Sequence, residues 1–461
     1  MKLRLPNTFV LLFAILALIA LATWLVPGGK YDTHLVNGKQ LVDAATFHFV
    51  DSKPQGFGAL MMAPIKGFAE AGLIIGFVLI TGGAFAVLHK TEAIDAMIKS
   101  IAMAHTRSAV VRVAMIPVFV TLFSLGGATF GMSEEAIPFV LIFVPLALAL
   151  GYDSVTGVSI PFLGSQVGFG AAFLNPFNVG IAQGIAGLPV FSGLGYRLVV
   201  WFIATAVTVA FLMWYAARIK ATPSRSPTYM LDETRRQELA IDFNGFDGMT
   251  RTHKLVLWVF AGSLLAMVVG VIKFGWFIEE IAALFLVMTI VVGLIARLDS
   301  DELVGAFVHG ARDMVGTALV IALARGTMIL ARDANIIDSM LYYLTPLIQS
   351  ANPVFAAQKM FGIQTVINFF IHSGTGQAAL TIPIMAPLSD LVGVTRQTAV
   401  LAFQLGELTT PMIPTSGITV GVLGLARIPW LVWAKWMIPL QLVYALMALL
   451  LLVLPCLTMW Q

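Results

Sequence analysis

Residues 109–150 read AVVRVAMIPVFVTLFSLGGATFGMSEEAIPFVLIFVPLALAL, two apolar arms around a polar, glycine-rich tip, Gly126-Gly127-Ala128-Thr129-Phe130-Gly131-Met132-Ser133-Glu134-Glu135. Each arm is roughly 15 residues, short of the about 20 that a bilayer core requires. The pattern therefore predicts a re-entrant hairpin, which enters a membrane and leaves on the same side. A second segment of the same kind, 353–392, breaks at His372-Ser373-Gly374-Thr375-Gly376-Gln377. Each hairpin is followed by a helix interrupted near its middle. In 154–190 the break runs from Gly164-Ser165-Gln166 through Asn175-Pro176-Phe177-Asn178; in 394–428 it runs from Gly406-Glu407-Leu408-Thr409-Thr410-Pro411 through Pro414-Thr415-Ser416-Gly417. Proline cannot donate to the helical ladder and holds its predecessor extended, so both helices should unwind there.

The rest of the chain says what surrounds these breaks. Hydrophobic residues make up 59% of the 461, charged residues 11%, and mean hydropathy is +0.92. A water-soluble globule of that composition would lack polar surface, so most of the solvent must be lipid. The formal charge of +3 is too weak to indicate nucleic acid, and the single cysteine, Cys456, excludes an intramolecular disulfide framework or a cysteine-rich metal site. The predicted fold is an all-α polytopic membrane protein with about nine full spans plus two hairpins. The strongly polar stretch 218–254 reads as a cytoplasmic linker between a first unit, 1–217, and a second, 255–461. The basic flank Lys2 and Arg4, with no transit segment, fits a bacterial cytoplasmic (inner) membrane.

The two units repeat one another. Gly67 and Gly310, Glu70 and Asp313, Gly83 and Gly326, Asp95 and Asp338, and Met97 and Met340 share one offset of 243 residues. Pro145, Gly151, Thr156 and Gly164 match Pro387, Gly393, Thr398 and Gly406 at an offset of 242. Any one pair could recur by chance in apolar sequence, but ordered agreement over so long a stretch indicates duplication. The polar loop from Lys30 to Lys53 in the first unit is replaced by a span in the second. That extra crossing makes the repeats inverted, with the basic linker, Lys90, Lys99, Arg107 and Arg112 all inside.

Unwound backbone at membrane depth survives only where protein or a watery cavity satisfies it. Free carbonyls and the oxygens of Ser, Thr, Asn and Gln can replace the water shell of a sodium ion, while amides at a half-helix N-terminus attract a carboxylate. The candidate solute-binding residues are Thr129, Ser133, Glu134, Asn175, Asn178, Ser373, Thr375, Gln377, Glu407, Thr410 and Thr415. The candidate ion ligands are Gly127, Ser165, Asn175, Gly374, Thr409 and Ser416. Bland readings stand beside these. Ser133 with Glu134 and Glu135 is also what a helix N-cap followed by first-turn acids looks like. Asn175, Thr409 and Thr415 could serve only to satisfy kinked backbone, but four breaks in matched positions favour the site; His372 could be a hydrogen-bonded packing residue and is weaker evidence than Ser373 and Thr375. Arg325, in an otherwise apolar helix, calls either for a structural ion pair or for a role in binding.

GGATFGMSEEAIPF, GSQVGFGAAFLNPFNVGIAQ and GELTTPMIPTSG resemble the YfcC-type branch of the C4-dicarboxylate anaerobic carrier (DcuC) family, within the ion transporter superfamily. The resemblance spans nearly the whole chain. It implies two hairpins, two broken helices, a homodimer and elevator-type movement of a transport unit against a fixed scaffold.

The family name suggests a dicarboxylate, but the breaks hold Glu134, Glu135 and Glu407 and no Lys or Arg. That charge repels a dianion and favours an amino group. The expected function is secondary active transport of a small amino acid or related carboxylate, a basic amino acid antiporter included; a C4-dicarboxylate carrier and a passive channel are the alternatives. Coupling to Na+, to H+ or to exchange is left open, and no cofactor is expected. Enzyme chemistry is disfavoured because no His-Glu-x-x-His motif or telling Ser, His and Asp set occurs, and ATP-driven transport because no G-x-x-x-x-G-K-[ST] loop occurs.

Overall fold

The computed structural model describes residues 8–36, 39–43, 46–238, 248–276, 278–348 and 352–461. Lys2, Arg4 and the middle of the polar linker, 239–247, lie outside the described residues. Among those described, eight helices are long and apolar enough to cross a membrane, rather than the nine expected. Three elements account for the difference: the first helix and the first broken helix, whose continuous part Ser154–Gly170 has 17 residues, fall short, while one hairpin arm is long enough to count. The first helix, Thr8–Ala22, has 15 residues and reaches only about 22 Å at 1.5 Å per residue. Conversely, Ala109–Phe130 has 22 residues, long enough to cross, where the sequence suggested a short hairpin arm.

The reason for that longer arm is how its glycines are used. Gly126 and Gly127 stay helical, and the chain turns only at Gly131, whose φ of +79° suits a residue without Cβ. A Cβ on Gly127 would lie 2.1 Å from the Ser165 carbonyl, so this glycine permits close helix packing rather than marking a chain break. The first broken helix departs from expectation in the same way. Gly164, Ser165 and Gln166 remain inside the continuous helix Ser154–Gly170, and unwinding begins at Ala171. The chain then resumes through a wide turn, Pro176–Gly180, into the short helix Ile181–Ile185. In the second half Arg396–Gly406 tightens at Glu407–Met412, unwinds, and restarts as Gly417–Leu425, close to the expected place. The second hairpin pairs Pro353–Phe370 with Gly374–Leu391, with the chain non-helical at 371–373.

Backbone geometry repeats at the offsets found in the sequence. The apolar segment 57–90 forms two helices, Phe57–Glu70 and Gly72–Lys90, joined at Ala71. Its counterpart is likewise Ser300–Asp313 and Val315–Asp333, joined at Met314. Glu92 and Asn335 both turn the chain in the left-handed region, at φ 59° and 60°. The four half-helices pack reciprocally, Phe57–Glu70 on Val315–Asp333 and Gly72–Lys90 on Ser300–Asp313. The contacts are backbone on backbone: a Cβ on Gly67 would lie 2.1 Å from the Ala322 carbonyl, and one on Gly310 would lie 2.3 Å from that of Gly82. Small residues let membrane helices approach this closely.

Two features lie outside the helical plan. The polar loop after the first helix forms two small antiparallel ribbons, Gly29–Lys30 with His48–Phe49 and Thr33–Val36 with Lys39–Val42. The linker, expected to be a plain polar connection, contains the helix Tyr229–Glu238 and buries Asp232 to 1% exposure. Asp232 accepts hydrogen bonds from the Ser154 amide (2.9 Å), the Ser154 hydroxyl and Thr228 (2.7 Å), and lies 3.5 Å from Arg235. Arg235 donates to Ser154 (2.6 Å) and to the Ala426 carbonyl, so one short helix holds the start of the first broken helix to the end of the second. Asp232→Ala leaves the buried Ser154 amide without its acceptor and takes the carboxylate from the half-buried Arg235. The expected loss is about 3 kcal/mol or more, seen as a lower thermal midpoint of the purified protein; an unchanged midpoint would show that this clasp carries no stability.

Candidate functional site

Three kinds of chain break converge on one cavity of about 310 Å³. From the first hairpin come Gly131, Ser133 and Glu134; from the second, His372, Ser373, Gly374 and Thr375. The broken helices supply Gln166, Phe169 and Phe177 on one side and Glu407, Thr410, Gly417 and Ile418 on the other. Opposite them, at the joint between Phe57–Glu70 and Gly72–Lys90, lie Glu70 and Ala71, with Arg325 beside them.

Hydrogen bonds tie these breaks across the two halves. Asn178 donates to Glu407 Oε2 at 2.7 Å and to the Phe169 carbonyl at 2.8 Å, joining the first broken helix to the second. Thr375 donates to the Phe177 carbonyl at 2.9 Å, tying the second hairpin to the first broken helix. Gln166 donates to the Ser133 hydroxyl at 2.9 Å, and Glu135 folds back to accept from the Ser133 amide at 2.9 Å. Ser133 stands at the N-cap position of the turn Glu134–Phe139, but against the sequence expectation its side chain makes no capping hydrogen bond; the hydroxyl is taken up by Gln166 and the amide by Glu135 while the residue lines the void.

The charges are unequally distributed. Glu134 lines the cavity and Glu407, 3% exposed, reaches it; neither has an ion-pair partner among the described residues. A carboxylate so placed is costly unless a positive charge meets it. On the opposite wall Glu70 is doubly neutralised, by Arg325 at 2.8 Å and Arg332 at 2.8 Å. Arg325 is thus held in the structural ion pair that its apolar helix calls for, and it also lines the cavity. Ser373 accepts from the Gly376 amide at 3.3 Å and caps Gly374–Leu391, so the positive end of an 18-residue helix meets the void at Ser373, Gly374 and Thr375.

Of the residues singled out for solute binding, Ser133, Glu134, Ser373, Thr375, Glu407 and Thr410 line the cavity, as does Gly374 from the ion set. Asn175 and Asn178 stand one layer behind. Asn175 donates to the Gly127 carbonyl (3.3 Å) and accepts from the Phe177 amide (2.8 Å), which caps the resumed helix. Others turn to nearby backbone: Thr129 donates to the Leu125 carbonyl, Ser165 to that of Phe162, Thr409 to that of Gly406 and Thr415 to that of Phe369. Ser416 caps the Thr419 amide at 3.4 Å, and Gln377 donates to Gln364 at 2.8 Å. Gly127 packs against Ser165 and does not line the void.

Residues missed from the sequence are Glu70, Phe169, Phe177 and the buried pair Gln364 and Asn368. Asn368 donates to Thr409 (3.1 Å) and Thr410 (3.0 Å), while its Oδ1 and the Oε1 of Gln377 have no donor among the described residues. The signal for Glu70 was present, since it was one of the offset-matched positions. An asparagine within the apolar arm 353–371 was the corresponding signal for Asn368.

Comparison with known proteins follows the same outline. The family described as "C4-dicarboxylate anaerobic carrier" (DcuC) matches residues 5–457. "Putative basic amino acid antiporter YfcC" of Escherichia coli is 38% identical, over 93% of this chain and 92% of its own length. An "Uncharacterized protein" of Haemophilus influenzae is 29% identical over 94% of each. Among solved structures, the Alcanivorax borkumensis YdaH transporter aligns with 97% of this chain and 98% of its own at 14% identity and a TM-score of 0.43, too loose a likeness to locate any residue.

Proposed function

As this chain belongs to the C4-dicarboxylate anaerobic carrier family, a family of multi-pass membrane transporters rather than enzymes, we propose that it is a secondary active transporter of a small amino acid or related carboxylate, with cationic amino acids the preferred class. The observation that carries the proposal is the pairing of opposite polarities in one cavity. Glu134 and Glu407 lack cations and suit an ammonium group, while Arg325 and the capped end of Gly374–Leu391 suit a carboxylate. A dicarboxylate would satisfy only the second of these. The name borne by the Escherichia coli relative points the same way.

The mechanism we infer uses two inverted repeats. Matching joints, matching left-handed turns and reciprocal packing of the half-helices support that arrangement. In it, the hairpins and broken helices form the moving unit, the helices 57–90 and 300–333 belong to the scaffold, and the solute travels between them in elevator fashion. The protein works as a homodimer in a bacterial inner membrane, on the family resemblance and the basic linker. Coupling by Na+ draws support from the Asn368 oxygen, which has no donor among the described residues and belongs to a side chain bonded to Thr409 and Thr410, because sodium replaces its water shell with such groups.

The test is counterflow in proteoliposomes loaded with arginine, ornithine, neutral amino acids or dicarboxylates, with Na+ and H+ gradients imposed separately. Trans-stimulated exchange of arginine or ornithine is expected. Uptake of dicarboxylates alone would overturn the charge argument, and uptake without trans-stimulation would indicate a channel.

A further inference from the structure

A second cavity, of about 420 Å³, lies away from the first, between the end of Leu194–Ala221 and the start of Trp430–Leu451. One wall is the helical face Phe211, Trp214, Tyr215, Arg218 and Ile219; the other is Val432, Lys435, Trp436 and Pro439. Both faces follow the i, i+3, i+4, i+7 spacing that brings side chains to one side of a helix. Arg225 closes the charged end.

The groove is graded along its length. From Phe211 to Arg218 is about 10 Å of helix, running from aromatic and aliphatic wall to three cations. Arg218, Arg225 and Lys435 have no acidic partner among the described residues, and no acid lines the groove. Arg218 rests over the Trp214 ring, 5.6 Å from its centroid, and the Trp436 indole N–H has no acceptor among the described residues. Tyr215 is not available to a ligand, because its hydroxyl donates to Asp153. Lys220, Arg235 and Arg236 crowd the same end of the molecule, which by the positive-inside bias faces the cytoplasm and its anionic leaflet.

We propose that this groove is a binding site for an anionic phospholipid, its phosphate held by Arg218, Arg225 and Lys435 and an acyl chain laid along the aromatic walls. The gradation separates a lipid from a soluble phosphate, which would leave the aromatic walls unused. The site does not depend on what the central cavity carries.

The test is native mass spectrometry of the full-length protein in detergent, titrated with phosphatidylglycerol, phosphatidylcholine or glycerol 3-phosphate. Phosphatidylglycerol should be retained at least tenfold better than phosphatidylcholine. The triple variant Arg218→Gln, Arg225→Gln, Lys435→Gln should lose that preference, and Arg312→Gln, an exposed cation elsewhere, should keep it. Lys435→Glu alone should weaken retention and serves if the triple variant does not fold. Equal retention of both lipids, an unaltered preference in the variants, or full displacement by glycerol 3-phosphate would overturn the proposal. So would a variant that keeps its lipid but falls from dimer to monomer, since the groove would then be a subunit contact.

Discussion

Glu407→Gln is expected to lower counterflow of a cationic amino acid by roughly 10- to 100-fold while the protein inserts and purifies normally. The size follows from losing one hydrogen-bonded charge contact, about 1.5 to 3 kcal/mol at about 1.4 kcal/mol per decade. Glutamine keeps the shape, and its carbonyl oxygen can still accept the 2.7 Å hydrogen bond from Asn178, so the cross-link between the two broken helices survives. Only the charge is removed. Comparing the variant on arginine and on a neutral amino acid separates the roles: a purely structural Glu407 would lose both equally, whereas a solute-facing one loses arginine more. Wild-type rates on both would place the solute elsewhere.

Gly168→Val is expected to do more damage, and to folding rather than to transport. A Cβ at Gly168 would sit 1.9 Å from the Ser124 carbonyl oxygen, while Gly127 makes the reciprocal contact with Ser165 at 2.1 Å. Both obstacles are backbone in the cores of Ala109–Phe130 and Ser154–Gly170, so neither helix can yield by changing a rotamer. Overpacking of ordinary cores costs about 1–3 kcal/mol, and this close crossing lies at or above the top of that range. The measurement is the monodisperse fraction after detergent extraction, expected to collapse for Gly168→Val and to hold for valine at Gly72, where nothing lies within 4 Å of the added carbon. Normal yields for both would mean that the helices do not cross so closely.

These two cases mark how far the sequence alone could be read. Glu407 was visible because a carboxylate beside Thr409, Thr410 and Pro411 is anomalous in apolar sequence. Hydropathy showed the polytopic plan, and the backbone repeats its joints and its left-handed turns at the offset of 243 read from the sequence. Glycine was the weak letter. At Gly126, Gly127 and Gly164 it serves close packing inside continuous helices, a use that looks the same in one dimension as an interruption. Side-chain direction was equally hidden: Thr129, Thr409 and Ser165 spend their hydroxyls on their own helices, and nothing in their neighbours' identities distinguishes them from Ser133 or Thr375. Glu70 and Asn368 were missed because their importance comes from partners far away in the chain.

The docked linker helix changes where this polypeptide can be divided. A first fragment ending at residue 217, the boundary suggested by polarity, would lack Asp232 and Arg235 and leave Ser154 without its anchor. A fragment continuing through Glu238 carries its own fastener and, in Arg235, a donor that also grips Ala426 of the other piece. Two-gene complementation should therefore assemble a working carrier from the longer fragment and fail with the shorter.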